Sequence, residues 1–268
     1  MTSLTYPLTD SRTMLRRQLK HLLRYPAMTV LLLGMPVIFL LLFVYVFGGQ
    51  LGAGLVHEHL AGHGSRSTYL NFVVPGILLM TVAAAANGTA ILVAMDMTGG
   101  IVARFRTMSI ARASVLAGHV LGSVIQALLG VVVVTAIALA LGFRPTANPL
   151  DWLASLAILA LFAFALAWLA TALGLAANSV ETASNTPMFL TLLPFLSSGF
   201  VTLASLPPGL RQFARYQPFT PITDSIRGLL FGGASVGGDI LPAIAWSVGI
   251  TLASYLWARR LYNGRPVT

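Results

Sequence analysis

"YLNFVVPGILLMTVAAAANGTAILVAM" (69–95) runs without a single acidic or basic side chain. A helix needs about 20 predominantly apolar residues to cross the roughly 30 Å hydrocarbon core of a bilayer, and this stretch exceeds that length. Comparable runs lie at 27–47, 115–142, 151–177, 184–204 and 240–258, so six spans are expected. The rest of the composition agrees. The 268 residues are 57% hydrophobic and only 9% charged, against about 25% charged in a soluble domain, and the mean hydropathy is +0.85. The fold class expected is an all-α polytopic membrane protein formed by one transmembrane domain over 1–268.

Charge then gives orientation. The formal net charge of +9 could point to nucleic acid, but loops that flank spans collect Lys and Arg on the cytoplasmic side. With the N-terminus inside, the inner segments hold eleven of the sixteen basic residues, among them Arg16, Arg17, Lys20, Arg24, Arg104, Arg106, Arg112, Arg259 and Arg260. Both termini are therefore expected in the cytoplasm of a plasma-membrane protein. Residues 11–25 add a basic amphipathic helix. Leu15, Leu19, Leu22 and Leu23 form its stripe, and Arg16, Arg17, Lys20 and Arg24 face mainly the other way, a pattern suited to the headgroup layer. No small-x-small cleavage site follows the first apolar run, so that run reads as an uncleaved span.

Local signals punctuate the spans. Pro36, Pro75, Pro187 and Pro194 fall inside apolar runs, where neighbouring helices can satisfy the freed carbonyls. Asn148 suits a helix cap, Pro149 the first helical position and Asp151 the first turn. Between the fifth and sixth runs lies "LPPGLRQFARYQPFTPITDSIRGLLFGG" (206–233). Pro207 and Pro208 can open a helix that Pro218 stops, with Leu210, Phe213 and Ala214 on one face. Thr220 can cap a second helix that ends before Gly232, with Ile222, Ile226, Leu229 and Leu230 as its stripe. Each is about half the length needed to span. The pair is expected to form an outer re-entrant helical hairpin.

Chemistry is sparse. There are no cysteines, which excludes thiolate catalysis and cysteine zinc sites. His57, Glu58, His59 and His63 are out of register with a zincin helix, where Glu must follow the first of two histidines four apart. No metal, cofactor or catalytic residue is expected. The seven carboxylates lie in loops or at span ends, whereas ion-coupled carriers place such groups at mid-membrane. The only lysine, Lys20, has no glycine near it, so no phosphate-binding loop is present. Energy for uphill movement would have to come from a separate ATPase. The alternatives are an ion-coupled secondary transporter and an intramembrane lipid-processing enzyme. A lone Gly118-x-x-x-Gly122 offers a close-packing point on the third span.

The cytoplasmic loop "DMTGGIVARFRTMSIARASVLAG" (96–118) resembles the acidic–Gly-Ile-Val-x-Arg-Phe-Arg loop of ABC type-2 membrane subunits, specifically the daunorubicin-resistance exporter permeases. A second match runs through Ser197-Ser198-Gly199-Phe200-Val201, Gln217-Pro218-Phe219-Thr220-Pro221 and Arg227-Gly228-Leu229-Leu230. Departures occur at Ser109, at Val180 before Glu181, and at Thr202-Leu203-Ala204.

The resemblance implies a six-helix permease that dimerises with itself or a related permease and sits on two ATP-binding subunits, which hold the ATP and Mg. It implies an exporter of hydrophobic or amphipathic compounds, such as antibiotics or lipids. It makes 11–25 the connecting helix and places the coupling helix in the 96–114 loop. Arg104, Arg106 and Arg112, with Glu181 at the turn between spans four and five, become candidates for the ATPase contact. Spans two and five would line the pathway, making Asn87, Thr191 and Ser198 candidates for meeting substrate.

Overall fold

The uncharged run at 69–95 forms the interior of the longest helix and the hub of the structure. The computed structural model describes residues 26–49, 66–98, 112–232 and 236–264. The basic helix at 11–25, the histidine-containing segment at 50–65, and Arg104 and Arg106 lie outside the described residues. In chain order the helices are α1 (Pro26–Leu42), continued by a π-helical turn (Phe43–Phe47), α2 (Arg66–Thr98), α3 (Arg112–Ala140), α4 (Pro149–Ala176), α5 (Val180–Asn185) and α6 (Met188–Leu192). After two 3-10 turns come α7 (Pro208–Tyr216), α8 (Phe219–Phe231) and α9 (Val236–Gly264).

Helix α2 is apolar on every side, which suits an element buried all round. It packs against α1, α3, α4, α5, α6 and α8. Within its most apolar window 78% of residues are buried, against 17% for α9, which therefore lies at the edge. Among the described residues, four helices are long and apolar enough to cross a membrane: α2, α3, α4 and α9. The apolar segment Leu33–Phe47 is shorter. The outward face of α9 carries Leu241, Trp246, Leu252 and Leu256, all exposed.

Four buried hydroxyls inside these helices are silenced locally. Thr81, Thr89, Thr171 and Ser247 each donate to the carbonyl four residues back. This spares them a partner in an apolar medium. The start of α4 forms as its residues dictate. Asn148 Oδ1 accepts from Asp151 N at 2.9 Å and Asp151 Oδ2 accepts from Asn148 N at 3.2 Å, a reciprocal capping box.

Span five departs from expectation. The run at 184–204 is not one helix but α5, α6 and two 3-10 turns, Leu193–Leu196 and Leu203–Ser205. Pro187 and Pro194 each remove a backbone donor and clash with the preceding turn. The Leu193 carbonyl takes its bond from Gln217 Nε2 at 3.3 Å instead. Aromatic rings hold the broken segment in place. Phe195 stacks on Phe200 at 4.7 Å between centroids and meets Phe39 of α1 edge-on at 5.2 Å. In the π-helical turn the Val44 carbonyl accepts from Arg66 Nε at 3.2 Å, while the same guanidinium lies 4.2 Å over the Tyr45 ring.

The segment 206–233 contains two short helices, with one difference in detail. Helix α8 starts at Phe219, so Thr220 is inside it rather than capping it, and Thr220 Oγ1 donates to the Ala214 carbonyl. On α7 only Ala214 is buried, while Leu210 and Phe213 are exposed. On α8 the stripe of Ile222, Ile226, Leu229 and Leu230 is buried, and Gly232 ends the helix in the left-handed conformation at φ 69°. Two close backbone contacts are seen. They lie at Gly76 against Gly199, and at Gly174 against Ala90.

Candidate functional site

Helix α8 is short and apolar, yet it carries Asp224 and Arg227 one turn apart. That spacing places opposite charges side by side on a helix. Arg227 Nη1 meets Asp224 Oδ1 at 2.8 Å, with the two side chains 24% and 25% exposed. Arg227 Nη2 donates to the carbonyls of Ser198 at 2.7 Å and Phe72 at 3.1 Å. Its guanidinium also lies 4.3 Å over the Phe72 ring. Ser198 Oγ completes the cluster by donating to Asp224 Oδ1 at 2.7 Å, and the Ser198 amide donates to Thr220 Oγ1 at 3.3 Å. One guanidinium thus ties α8, the irregular turn at 197–202 and α2 together.

Burial pushes the Asp224 carboxyl above its ordinary range, opposed by the charge of Arg227 and the Ser198 hydroxyl. Burial also lowers Arg227, opposed by Asp224. For both partners desolvation is the larger influence, so the pair orders this junction more than it adds stability.

Glycine provides the second half of the junction. A Cβ on Gly76 would fall 2.9 Å from the Gly199 Cα, and one on Gly199 would fall 2.8 Å from the Gly76 Cα. Backbone meets backbone here, one residue past Pro75, which removes the helical donor for the Asn71 carbonyl.

The opposite end of α2 carries a second polar contact. Asp96 Oδ2 lies 3.2 Å from His119 Nε2, with side chains 15% and 7% exposed. The pair clasps the end of α2 to the start of α3, on either side of the chain that holds Arg104 and Arg106. His119 is thus a partnered helix-end residue.

The sequence candidates do not form one cluster. Ser198 belongs to the Arg227 junction. Asn87 lies eleven residues beyond Gly76, about 16 Å further along α2, and its Oδ1 is buried without a partner among the described residues. Thr191 Oγ1 on α6 is in the same condition. Gly76 faces Gly199, and Ala94 shares a cluster with Ala183. Asn87 and Thr191 thus fall near the midpoint of the same helix pairing. Glu181 is exposed in the first turn of α5, and Arg112 begins α3.

The Asp224–Arg227 and Asp96–His119 pairs were not singled out from sequence. The Asp-x-x-Arg spacing within a charge-poor helix was the available signal for the first. No local signal existed for the second, whose partners meet only when α2 and α3 pack. Among the described residues no group of three His, Asp or Glu side chains is placed to hold a metal. The arrangement consists of close backbone contacts and shared hydrogen bonds.

The ABC-2 type transporter family matches residues 9–231. The daunorubicin resistance ABC transporter permease protein DrrB1 of Streptomyces coeruleorubidus is 28% identical over 254 residues, covering 94% of this chain and 86% of that protein. The probable doxorubicin resistance ABC transporter permease protein DrrC of Mycobacterium tuberculosis is 24% identical over 216 residues, covering 81% and 74% respectively. With a family match spanning most of its length and helices fit to cross a bilayer, this chain belongs to the ABC-2 type transporter family of membrane proteins.

Proposed function

We propose that the chain is the membrane-spanning permease subunit of an ATP-driven exporter for hydrophobic or amphipathic compounds, an antibiotic or lipid among them. The observation that carries this is the continuous likeness, over 94% of the chain, to a permease named for daunorubicin resistance. The absence of a phosphate-binding loop from the sequence fits a subunit worked by two separate ATP-binding chains, which would hold ATP and Mg. The working unit is a dimer with itself or a related permease.

In this reading both termini are cytoplasmic, α1 and the broken α5–α6 segment complete six crossings, and α7 and α8 form a re-entrant hairpin in the outer leaflet. The 96–114 loop receives motion from the ATPase through Arg104, Arg106 and Arg112, with Glu181 nearby. The helix at 11–25 lies along the inner surface through Arg16, Arg17, Lys20 and Arg24. Closure of the ATPases would then tilt α2, with the Asp96–His119 clasp carrying α3 along and the Gly76–Gly199 contact acting as the outer fulcrum. Asn87 and Thr191 would offer hydrogen bonds to cargo moving between α2 and α6.

The test is co-reconstitution with the cognate ATP-binding subunit. ATP hydrolysis that requires this chain and rises with a lipophilic compound such as daunorubicin is the expected result. Vesicles containing this chain alone that accumulate the compound on an ion gradient would overturn the reading.

A further inference from the structure

A cavity of about 420 Å³ opens between α3 and α4, with Val132, Leu139, Trp152 and Leu156 among its walls and Ile226 of α8 also lining it. Leu78 of α2 lines it too, but the cavity takes no part in the proposed pathway, which follows the α2–α6 pairing. Its size is within the range of small-molecule sites, about 300–1,000 Å³. It is not a closed core void, because Val132 is 59% exposed and Leu153, another wall residue, 65%. The slot opens sideways, toward the hydrocarbon in which these helices sit.

Its height is informative. The lining residues of α3 run from Val131 to Leu139, about 12 Å at helical rise. That is close to one leaflet of a hydrocarbon core roughly 30 Å thick. The slot ends at the 141–148 connection, where Trp152 occupies an interfacial position suited to its ring. Arg144 is anchored there. Its Nη1 donates to the Leu139 carbonyl at 2.9 Å and the Phe143 carbonyl at 3.1 Å, leaving its other guanidinium nitrogens without a partner among the described residues. Asp151 is the acidic group on the same rim, and its Oδ2 is engaged by the Asn148 amide. Arg144 keeps guanidinium donors for an anion, while Asp151 retains its charge beside it.

One residue of the slot wall holds a buried polar atom without a partner. Ser155 is 3% exposed, and its Oγ has no hydrogen bond among the described residues. Thr171 on α4 and Ser247 on α9, by contrast, donate to their own backbone. An unbonded hydroxyl in an apolar wall is costly and is relieved by an acceptor on an occupant.

We propose that this slot is a lipid site that takes one acyl chain of an anionic phospholipid from the leaflet on the side of the 141–148 connection. Its phosphate pairs with Arg144, and Ser155 donates to a carbonyl oxygen of the lipid. The proposal rests on the membrane-spanning reading alone and not on any particular cargo or motor.

The experiment places the full chain in nanodiscs with phosphatidylglycerol or phosphatidylcholine carrying the same photoactivatable diazirine acyl chain, and maps labelled peptides by mass spectrometry. Labelling should concentrate at 131–139 and 149–159, with about a fivefold preference for phosphatidylglycerol, the value of one basic group near an anionic headgroup. Arg144→Gln should abolish that preference while tail labelling persists. Val132→Trp should reduce labelling of both lipids, and Leu252→Trp on the exposed face of α9 should not. Because Val132 is largely exposed, the tryptophan can enter the slot without disturbing packed neighbours. Labelling no greater than around Leu252, or equal for the two lipids in the unmodified chain, would overturn the proposal. Displacement of the label by daunorubicin would assign the slot to cargo and overturn it as well. None of these readouts depends on ATP hydrolysis or export, so the site can fail while the proposed function stands.

Discussion

Gly76 of α2 and Gly199 of the broken fifth segment meet backbone to backbone, with no room for a methyl group on either. A side chain here must displace main chain on both sides. Gly199→Ala should destabilise the protein by about 1–3 kcal/mol, the usual cost of overpacking. Thermal unfolding in detergent checks this. Gly209→Ala, where a Cβ meets nothing within 4 Å, is the matched control and should be nearly neutral.

Arg227 holds three elements through a single guanidinium. Arg227→Gln leaves Asp224 without its ion partner, and breaking a buried pair costs about 3–5 kcal/mol. The lower end applies here, because each side chain is about a quarter exposed. Asp224→Asn combined with Arg227→Gln should recover part of that loss, as a double-mutant cycle on unfolding midpoints would show.

The same variant should depend on pH in a defined sense. Burial raises the Asp224 carboxyl, so the folded state holds its proton more tightly than the unfolded chain. The stability linked to this group is present in full below the ordinary value near 3.8 and is lost as pH rises through the higher folded value. Removing Arg227 removes the charge that opposes this shift. The stability deficit of Arg227→Gln should therefore shrink on acidification, read from melting curves between pH 7 and about pH 4. A deficit that grows with acid would contradict the assignment.

The Asp96–His119 contact joins the two helix ends nearest the 99–111 segment. His119→Leu should uncouple hydrolysis from transport, retaining ATPase activity with the partner subunit while export falls. Residues that modulate coupling typically account for about 0.5–2 kcal/mol, or roughly two- to thirtyfold. Loss of hydrolysis and export in equal proportion would indicate a purely structural contact.

Arg104 and Arg106 can be tested without knowledge of their geometry. Reversing both charges should abolish export while membrane insertion, read by protease protection of tagged termini, persists. Unimpaired export would remove them from the coupling contact. A companion substitution, Asn87→Leu, should change the relative export of polar and apolar cargo if its unpartnered oxygen meets substrate. An unchanged profile would assign that amide to helix packing.

The membrane class, the helical content and most helix positions could be read along the chain, because hydropathy, prolines and caps act within a few residues of one another. Asn148, Pro149 and Asp151 specify the start of α4 locally and form the expected capping box. The fifth segment shows where that reading ends. Its composition is that of a span, yet Pro187 and Pro194 divide it, and the path it takes is set by Phe39, Phe43 and Gln217 from other elements. Asp224 and Arg227 were visible as charges near one another. Only packing brought them against Phe72 and Ser198, at separations of 155 and 29 residues from Arg227.

Sequence alone determined the solvent in which this protein lives, since the balance of apolar and charged residues is a property of composition. Tertiary structure decided which polar groups meet. Contacts between residues distant in the chain depend on how helices pack, and packing is fixed by the shape of whole surfaces, here by glycines that let two backbones touch.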